Sequence, residues 1–495
     1  MLCVAMNFIH RSILFSAVER YISVFLFLFS TAALARLLSP GEFGISAVVG
    51  ALIAVTAASF QEFGGSNYLI QKASLSEANI RTAFTITLCL SCTVAILLFT
   101  VRTPLADVFG QKSVAPALAV AALNFISLPF TGTMSALLRR EMQFGKLAIA
   151  NLCCNFATAV VSVSLAIAHY SFMAPIWGTV AGSFCLAFSL ILLRKDLRSF
   201  RLCFADSLEV LRFGVYSSGV MIINVFYNWA PQLFLARILD FAAVGLYGRA
   251  ISITQVFDKL VVQVLGPVIM PALCARTREG GELRRIYLDA ISLLSGIQWP
   301  FLLFLAIMAR PIVSVWLGPM WMETIPLIRI LCTAYVALFA ACLTYPTLVV
   351  LGGIRDALIS SFISLPPSLL VMFFSSFFGV EALAASTLIT LPFQAATAFY
   401  FISRRLNVKP SALFRATKKS MIVTTLSSIC TLLVAISIEQ GFVGSVMGLI
   451  FAALLAGTSW WLGLVLTKHP LLPRMSAAAE SVGISVPRPF LVRQI

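Results

Sequence analysis

Apolar residues run in blocks of about twenty along the whole chain, and polar residues collect in the short stretches between the blocks. A block of that length crosses a hydrocarbon layer of ~30 Å as a helix rising 1.5 Å per residue. In order the blocks lie near 15–36, 43–65, 82–101, 115–137, 147–168, 173–193, 212–236, 243–272, 287–309, 325–350, 357–378, 382–402, 420–438 and 442–466. They predict about 14 transmembrane helices. Backbone inside hydrocarbon must satisfy its own hydrogen bonds, so the predicted fold class is an all-α polytopic membrane protein. Glu19-Arg20 near the start of the first block mark it as a retained helix rather than a cleaved leader.

One stretch recurs. Ala35-Arg36-Leu37-Leu38-Ser39-Pro40-Gly41-Glu42-Phe43-Gly44-Ile45 returns as Ala236-Arg237-Ile238-Leu239-Asp240-Phe241-Ala242-Ala243-Val244-Gly245-Leu246, at a constant offset of 201 residues. Each copy closes the first apolar block of its half, which reads as an internal repeat. In the first copy the Pro40-Gly41 pair predicts a chain-reversing turn. Between Arg194 and Arg212 hydropathy drops and charges crowd, as a linker would. The expected organisation is an N-terminal six-helix lobe over 1–205, a C-terminal six-helix lobe over 206–404, two accessory helices over 405–467 and a loose cytoplasmic tail over 468–495. Six is even, so both lobes enter the membrane the same way up. They are expected to be related by a pseudo-twofold along the membrane normal, with a cavity between them near the midplane.

Composition agrees with this pattern. With 60% hydrophobic and 11% charged residues and a mean hydropathy of +0.99, the chain has too little polar surface for a soluble protein. Charge then sets the expected orientation. Of the 35 Lys and Arg, only Arg36, Arg102, Lys112, Arg237, Arg249, Arg310 and Arg329 fall on one side of the fourteen-helix scheme, and Lys259 lies within a helix. The rest share a side with both termini, which are therefore expected in the cytoplasm. The net charge of +16 reads as topology and attraction to anionic membrane lipid, not as nucleic-acid binding. The 11 Cys lie mostly in apolar blocks and the chain has 3 His, so no metal site is expected. No Ser/His/Asp, nucleotide-binding or paired-carboxylate constellation appears, so the protein is not expected to be an enzyme.

Four segments carry a family resemblance: the Ala35 to Gly44 stretch, Leu138-Arg139-Arg140-Glu141-Met142-Gln143-Phe144, Gly245-Leu246-Tyr247, and Ile312-Val313-Ser314-Val315-Trp316-Leu317-Gly318-Pro319-Met320-Trp321. They resemble the bacterial polysaccharide transporter family of Wzx-type oligosaccharide flippases, within the multidrug/oligosaccharidyl-lipid/polysaccharide flippase superfamily. The likeness is greatest to exopolysaccharide, succinoglycan-type, transport proteins. It spans roughly residues 12 to 405 and departs in helix seven, where Trp229-Ala230-Pro231 stand in place of an acidic or plain polar residue. The resemblance implies alternating access and movement of a polyprenyl-diphosphate-linked oligosaccharide across the bacterial inner membrane. It also implies a polysaccharide polymerase and export machinery as partners.

Hiding a diphosphate and sugars from hydrocarbon calls for a cationic, polar-lined cleft. Lys259 and Asp258 are candidates, although neighbours on an α-helix point about 100° apart and cannot both face one cavity. Arg36 and Arg237, at equivalent helix ends, are explained by snorkelling to the interface, with paired phosphate contacts as the functional alternative. Arg249 and Arg20 are similar cases, with Glu19 a local partner for the latter. Asn224, Asn228, Gln255 and Gln263 suit sugar hydroxyls and Tyr227 and Trp229 suit stacking on sugar rings, or all serve as interhelical glue. No cofactor is expected. Coupling to a proton or sodium gradient would use Glu62, unless that residue simply faces water beside Gly64-Gly65. Two rivals stand beside the flippase. A cation-coupled drug antiporter of the same fold would want more carboxylates than Glu62 and Asp258, and a membrane-embedded polymerase would want a larger loop than the one from about Arg102 to Val114.

Overall fold

The computed structural model describes residues 2–61, 66–72, 75–195, 197–205, 207–262, 282–340, 343–351 and 353–481. Every regular element among them is helical. Among the described residues eleven helices are long and apolar enough to span a membrane, and they match eleven of the expected blocks. The other three blocks, the seventh, eighth and tenth, fall on the long helix Ser207–Ile238, on the shorter apolar helix Phe241–Thr254, and on helical turns from Thr324 onward. The chain is a membrane protein with multiple transmembrane helices.

The chain divides into two compact units, Met1–Gly248 and Arg249–Ile495. The first holds α1 (Leu2–Leu37), α2 (Pro40–Gln61), α3 (Ser66–Gln71), α4 (Glu77–Thr100), α5 (Arg102–Val108), α6 (Val114–Ala121), α7 (Asn124–Arg140), α8 (Phe144–Ile167), α9 (Met173–Arg194), α10 (Ser207–Ile238) and the start of α11 (Phe241–Thr254). Both α10 and the start of α11, which the sequence assigns to the second lobe, group with this unit, and α10 packs along α2.

Local chemistry explains several of these elements. Ser76 caps α4 through a reciprocal box with Asn79. α9 presses against α8 through Gly178 and Gly182, four apart on one face, where an added Cβ would fall on the Ser162 and Thr158 hydroxyls. Phe84, Phe130 and Phe200 stack with centroids 5.1 to 5.3 Å apart and tie α4 to α7 and to the turn over 197–200. Arg140 at the end of α7 donates to the carbonyls of Leu69, Ile70 and Lys72 at 2.8, 3.3 and 2.5 Å, closing the exposed end of α3.

The second unit continues with α12 (Leu283–Ile307), α13 (Ala309–Ile312), α14 (Thr324–Tyr335), α15 (Thr344–Val350), α16 (Ile354–Ser376), α17 (Val380–Leu406), α18 (Pro410–Glu439), α19 (Ser445–Leu466) and α20 (Leu471–Ser481). The accessory pair α18 and α19 docks on α12. Ser295 on α12 donates to the Ser420 hydroxyl on α18 at 2.9 Å, and the Trp460 indole on α19 donates to the Gly296 carbonyl at 2.8 Å. Residues 471–481, expected to begin a loose tail, form helix α20. It is seated by buried Leu471 against Val423 and Leu464 and by Arg474 paired with Asp289 at 3.3 Å. Large apolar side chains such as Phe25, Phe188, Leu454 and Leu466 stand exposed on the outside, where hydrocarbon rather than water solvates them.

Candidate functional site

The two copies of the repeat form the same local structure by different chemistry. In the first, α1 ends at Leu37 and α2 begins at Pro40, so the proline occupies the first helical position and the reversal falls on Leu38-Ser39. The expected Pro40-Gly41 turn is therefore displaced into the helix, because proline's fixed φ suits a helix start as well as a turn. Ser39 is the cap. Its N–H and hydroxyl each donate to the Glu42 carboxylate at 2.8 Å, and the Glu42 N–H donates back to the Ser39 hydroxyl at 3.4 Å. Ser171, from the α8–α9 connection, also donates to Glu42. In the second copy Asp240 caps α11, accepting from the Ala243 N–H at 2.7 Å.

The two capped helix starts then meet. An added Cβ at Gly44 would fall on the backbone carbonyl of Phe241, and one at Gly245 would fall on the carbonyl of Pro40. Gly248 lies one turn on, against the Phe43 ring. The contact is reciprocal under the 201-residue offset, so it carries a local twofold. Ala35 and Ala236 are buried behind it, while Arg36 and Arg237 are both exposed at the same point of their copies.

α11 leads into the second unit at Arg249, which is 3% exposed and lies over the indole of fully buried Trp321, 5.2 Å from guanidinium carbon to ring centroid. Trp321 comes from the Val315-Trp316-Leu317-Gly318-Pro319-Met320-Trp321 element. Gly318 takes a φ of 102°, open to glycine and costly for other residues, and this turns the chain so that the Pro319–Trp321 turn presents the indole inward. At the end of α11 Thr254 meets Cys332 at 3.7 Å, and just beyond it Gln255 meets the Tyr335 hydroxyl at 3.5 Å. Two polar contacts thus join the end of α11 to α14.

Asp258 and Lys259 follow in a π-helical turn, Asp258–Val262, rather than in the α-helix on which the 100° argument relied. Both are partly buried. Wide turns of this kind recur at functional sites because they redirect side chains without ending the helix. Asn228 donates to the Asn224 carbonyl at 2.8 Å, within its own helix, and Trp229 beside it is half-buried. Arg20 is partly buried in a polar group where Glu19 accepts from Ser23 at 3.0 Å and Ser23 accepts from Asn155 of α8 at 2.8 Å. Arg20, Arg36, Arg237, Asn224, Asn228 and Trp229 belong to the first unit, and Arg249, Asp258 and Lys259 to the second. Glu62 and Gln263 lie outside the described residues. Among the described residues no cluster of His, Cys, Asp or Glu could hold a metal ion.

The fold defines a class. Its helices superpose on a structure titled lipid II flippase MurJ, inward closed conformation, with a TM-score of 0.72 and 11% identity over 95% of this chain and 99% of that one. The protein thus shares that structure's all-helical membrane fold. The family described as Polysaccharide biosynthesis protein matches residues 33–326, more than half of the chain, and the protein belongs to that family. Two relatives are the lipopolysaccharide biosynthesis protein WzxC of Escherichia coli (strain K12), 27% identical over 64% of this chain, and the succinoglycan biosynthesis transport protein ExoT of Rhizobium meliloti (strain 1021), 26% identical over 60%. The alignments span 65% and 60% of the relatives' own lengths.

Proposed function

We propose that the protein is a flippase that carries a polyprenyl-diphosphate-linked oligosaccharide across the bacterial inner membrane, for exopolysaccharide or lipopolysaccharide assembly, and that it is not an enzyme. It works by alternating access of two six-helix lobes with both termini in the cytoplasm. The observation that carries the reading is the reciprocal seat of Gly44 and Gly245 in a chain of this family. Two equivalent helix starts close on each other with each glycine against a backbone carbonyl, so at these two points no side chain stands between them and the approach is one that alternating access could open and close. Family membership supplies the oligosaccharide side of the reading.

In this scheme Lys259, Arg249, Arg36, Arg237 and Arg20 supply positive charge toward the diphosphate, Asn224, Asn228 and Trp229 face the sugars, and Asp258 lies beside Lys259. Glu62 is the proposed coupling carboxylate for a proton or sodium gradient. A polysaccharide polymerase and export machinery act downstream.

The experiment is analysis of polyprenyl-linked intermediates and secreted polysaccharide in cells lacking the protein. Complete lipid-linked oligosaccharide trapped with its sugar on the cytoplasmic face, with no exported polymer, is the expected result. Normal export together with altered resistance to cationic compounds would replace this reading with the antiporter. Within the flippase reading, Lys259→Ala is expected to lower polymer export more than Arg102→Ala at matched protein levels. Equal effects would remove Lys259 from the cavity.

A further inference from the structure

The accessory hairpin ends in an unbalanced charge. Arg404, Lys409, Arg415, Lys418, Lys419 and Lys468 are all exposed, and none makes an ion pair with a described residue. Their neighbours Arg405 and Arg474 do find carboxylates, Asp356 at 2.7 Å and Asp289 at 3.3 Å, so the local acids are already taken. Two strands of the group are drawn together: the Lys419 ammonium donates to the Lys468 carbonyl at 2.8 Å, bringing the start of α18 to the end of α19. Lys468 holds this corner at a φ of 47°, a conformation that glycine takes more cheaply. Like charges gathered at one place repel, and the arrangement is stabilised by an anion from outside.

The direction these cations face decides which anion. On α18 the residues Phe414, Lys418, Met421, Ile429 and Leu432 fall at helical spacing on one stripe, and all five are exposed. Lys418 therefore stands in the row of side chains that faces hydrocarbon, one turn from Phe414 and Met421, with Arg415 alongside. On α19 Leu462 and Leu466 are exposed one turn apart, and Lys468, also exposed, follows two residues beyond the end of that helix. A molecule that satisfies both parts has hydrocarbon chains lying along the hairpin and a negative headgroup at its basic end. A soluble phosphate would meet the cations and leave the stripe unused. A neutral lipid would do the reverse.

We propose that the outer face of α18 and α19 binds an anionic phospholipid, with its phosphodiester held by Arg415, Lys418 and Lys468 and its acyl chains along the Phe414 to Leu432 stripe. This inference rests on the membrane-spanning fold and not on the transported substrate. His469, directly after Lys468, adds no charge to the shelf. Its ring is buried, its Nδ1 accepts from the Leu471 N–H at 3.2 Å, and burial together with the Lys419 charge pushes its pKa down to about 4.

The test is native mass spectrometry of the full-length protein in neutral detergent, with dioleoylphosphatidylglycerol or dioleoylphosphatidylcholine added at equal concentration. The phosphatidylglycerol adduct is expected to dominate. Arg415→Gln with Lys418→Gln should weaken it roughly thirtyfold, from two interfacial cations, and leave the phosphatidylcholine adduct unchanged. Lys418→Gln alone should weaken it roughly fivefold, Lys418→Arg should retain it, and Lys112→Gln, on another exposed loop, should have no effect. Because these side chains are exposed, unchanged melting of the variants serves as the control for folding. Equal adducts of both lipids, or an unchanged phosphatidylglycerol adduct in the double variant, would overturn the proposal. Displacement of phosphatidylglycerol by inorganic diphosphate would replace it with a free-phosphate site, and displacement by a polyprenyl diphosphate at lower concentration would replace it with a substrate site.

Discussion

Gly44 and Gly245 hold the same position in two copies of one sequence element, and each faces the backbone carbonyl of the residue four before the other, Phe241 for Gly44 and Pro40 for Gly245. A side chain at either position has to push two helix starts apart, because the atom it meets is main chain. Gly41, three residues before Gly44, has no neighbour within 4 Å of where its Cβ would be. Gly44→Val and Gly245→Val are each expected to reduce polymer export at least tenfold at wild-type protein levels in the membrane, and Gly41→Ala to leave it unchanged. Export restored by either valine variant would separate the contact from transport.

The helix starts that carry these glycines depend on their caps. Ser39→Ala removes the hydroxyl that exchanges hydrogen bonds with Glu42, and Asp240→Ala removes the acceptor for the Ala243 N–H. Each is expected to cost about 1 kcal/mol, read as a lower thermal midpoint in detergent. Asp240→Asn, which keeps an acceptor oxygen, should lose less than Asp240→Ala.

Arg249 over Trp321 is testable by a double-mutant cycle. Arg249→Met keeps much of the stem, and Trp321→Leu removes the ring face. Coupling of about 0.5–2 kcal/mol in thermal or denaturant stability is expected for a desolvated cation over an indole. Additive effects would show that the two residues share a site without an energetic link.

His469 predicts a pH dependence. Its ordinary pKa of 6.5 falls to about 4 in the folded chain, because burial first and Lys419 second disfavour the charged ring. The unfolded chain therefore binds a proton between those values that the folded chain refuses. This contribution to stability is complete above about pH 6.5 and is lost as pH falls toward about 4. The thermal midpoint of the wild type should drop over that interval, and His469→Gln should flatten part of the drop. A variant with the same pH profile would place the titration elsewhere.

The repeat was legible as residues but not as a contact. Nothing in Ala35 to Ile45 indicates that its copy 201 positions on will be its packing partner, because the pairing depends on how α10 lies along α2. The Pro40-Gly41 pair illustrates a second difficulty, since proline opens helices and turns alike and only the path of the chain separates the two. Arg249 and the Trp-Leu-Gly-Pro-x-Trp element were each conspicuous in the sequence, 72 positions apart, with no signal joining them. His469 carried no signal at all. Its contact with Ser420 at 3.1 Å and its place against Gly296 arise where α12, α18 and the end of α19 converge.

By itself the amino-acid sequence determined that this is a helical membrane protein, where most of its spans lie, that one short element recurs 201 positions on and which family it resembles. These follow from local properties, since the length of an apolar block, the charge of a loop and the similarity of short segments are all read within a few tens of residues. The tertiary structure alone decided which residues meet: glycine on carbonyl at the repeat, guanidinium on indole, and the Lys419 ammonium on the Lys468 carbonyl. Those meetings are set by close packing between helices far apart in sequence, where a methyl group more or less decides whether two backbones can touch.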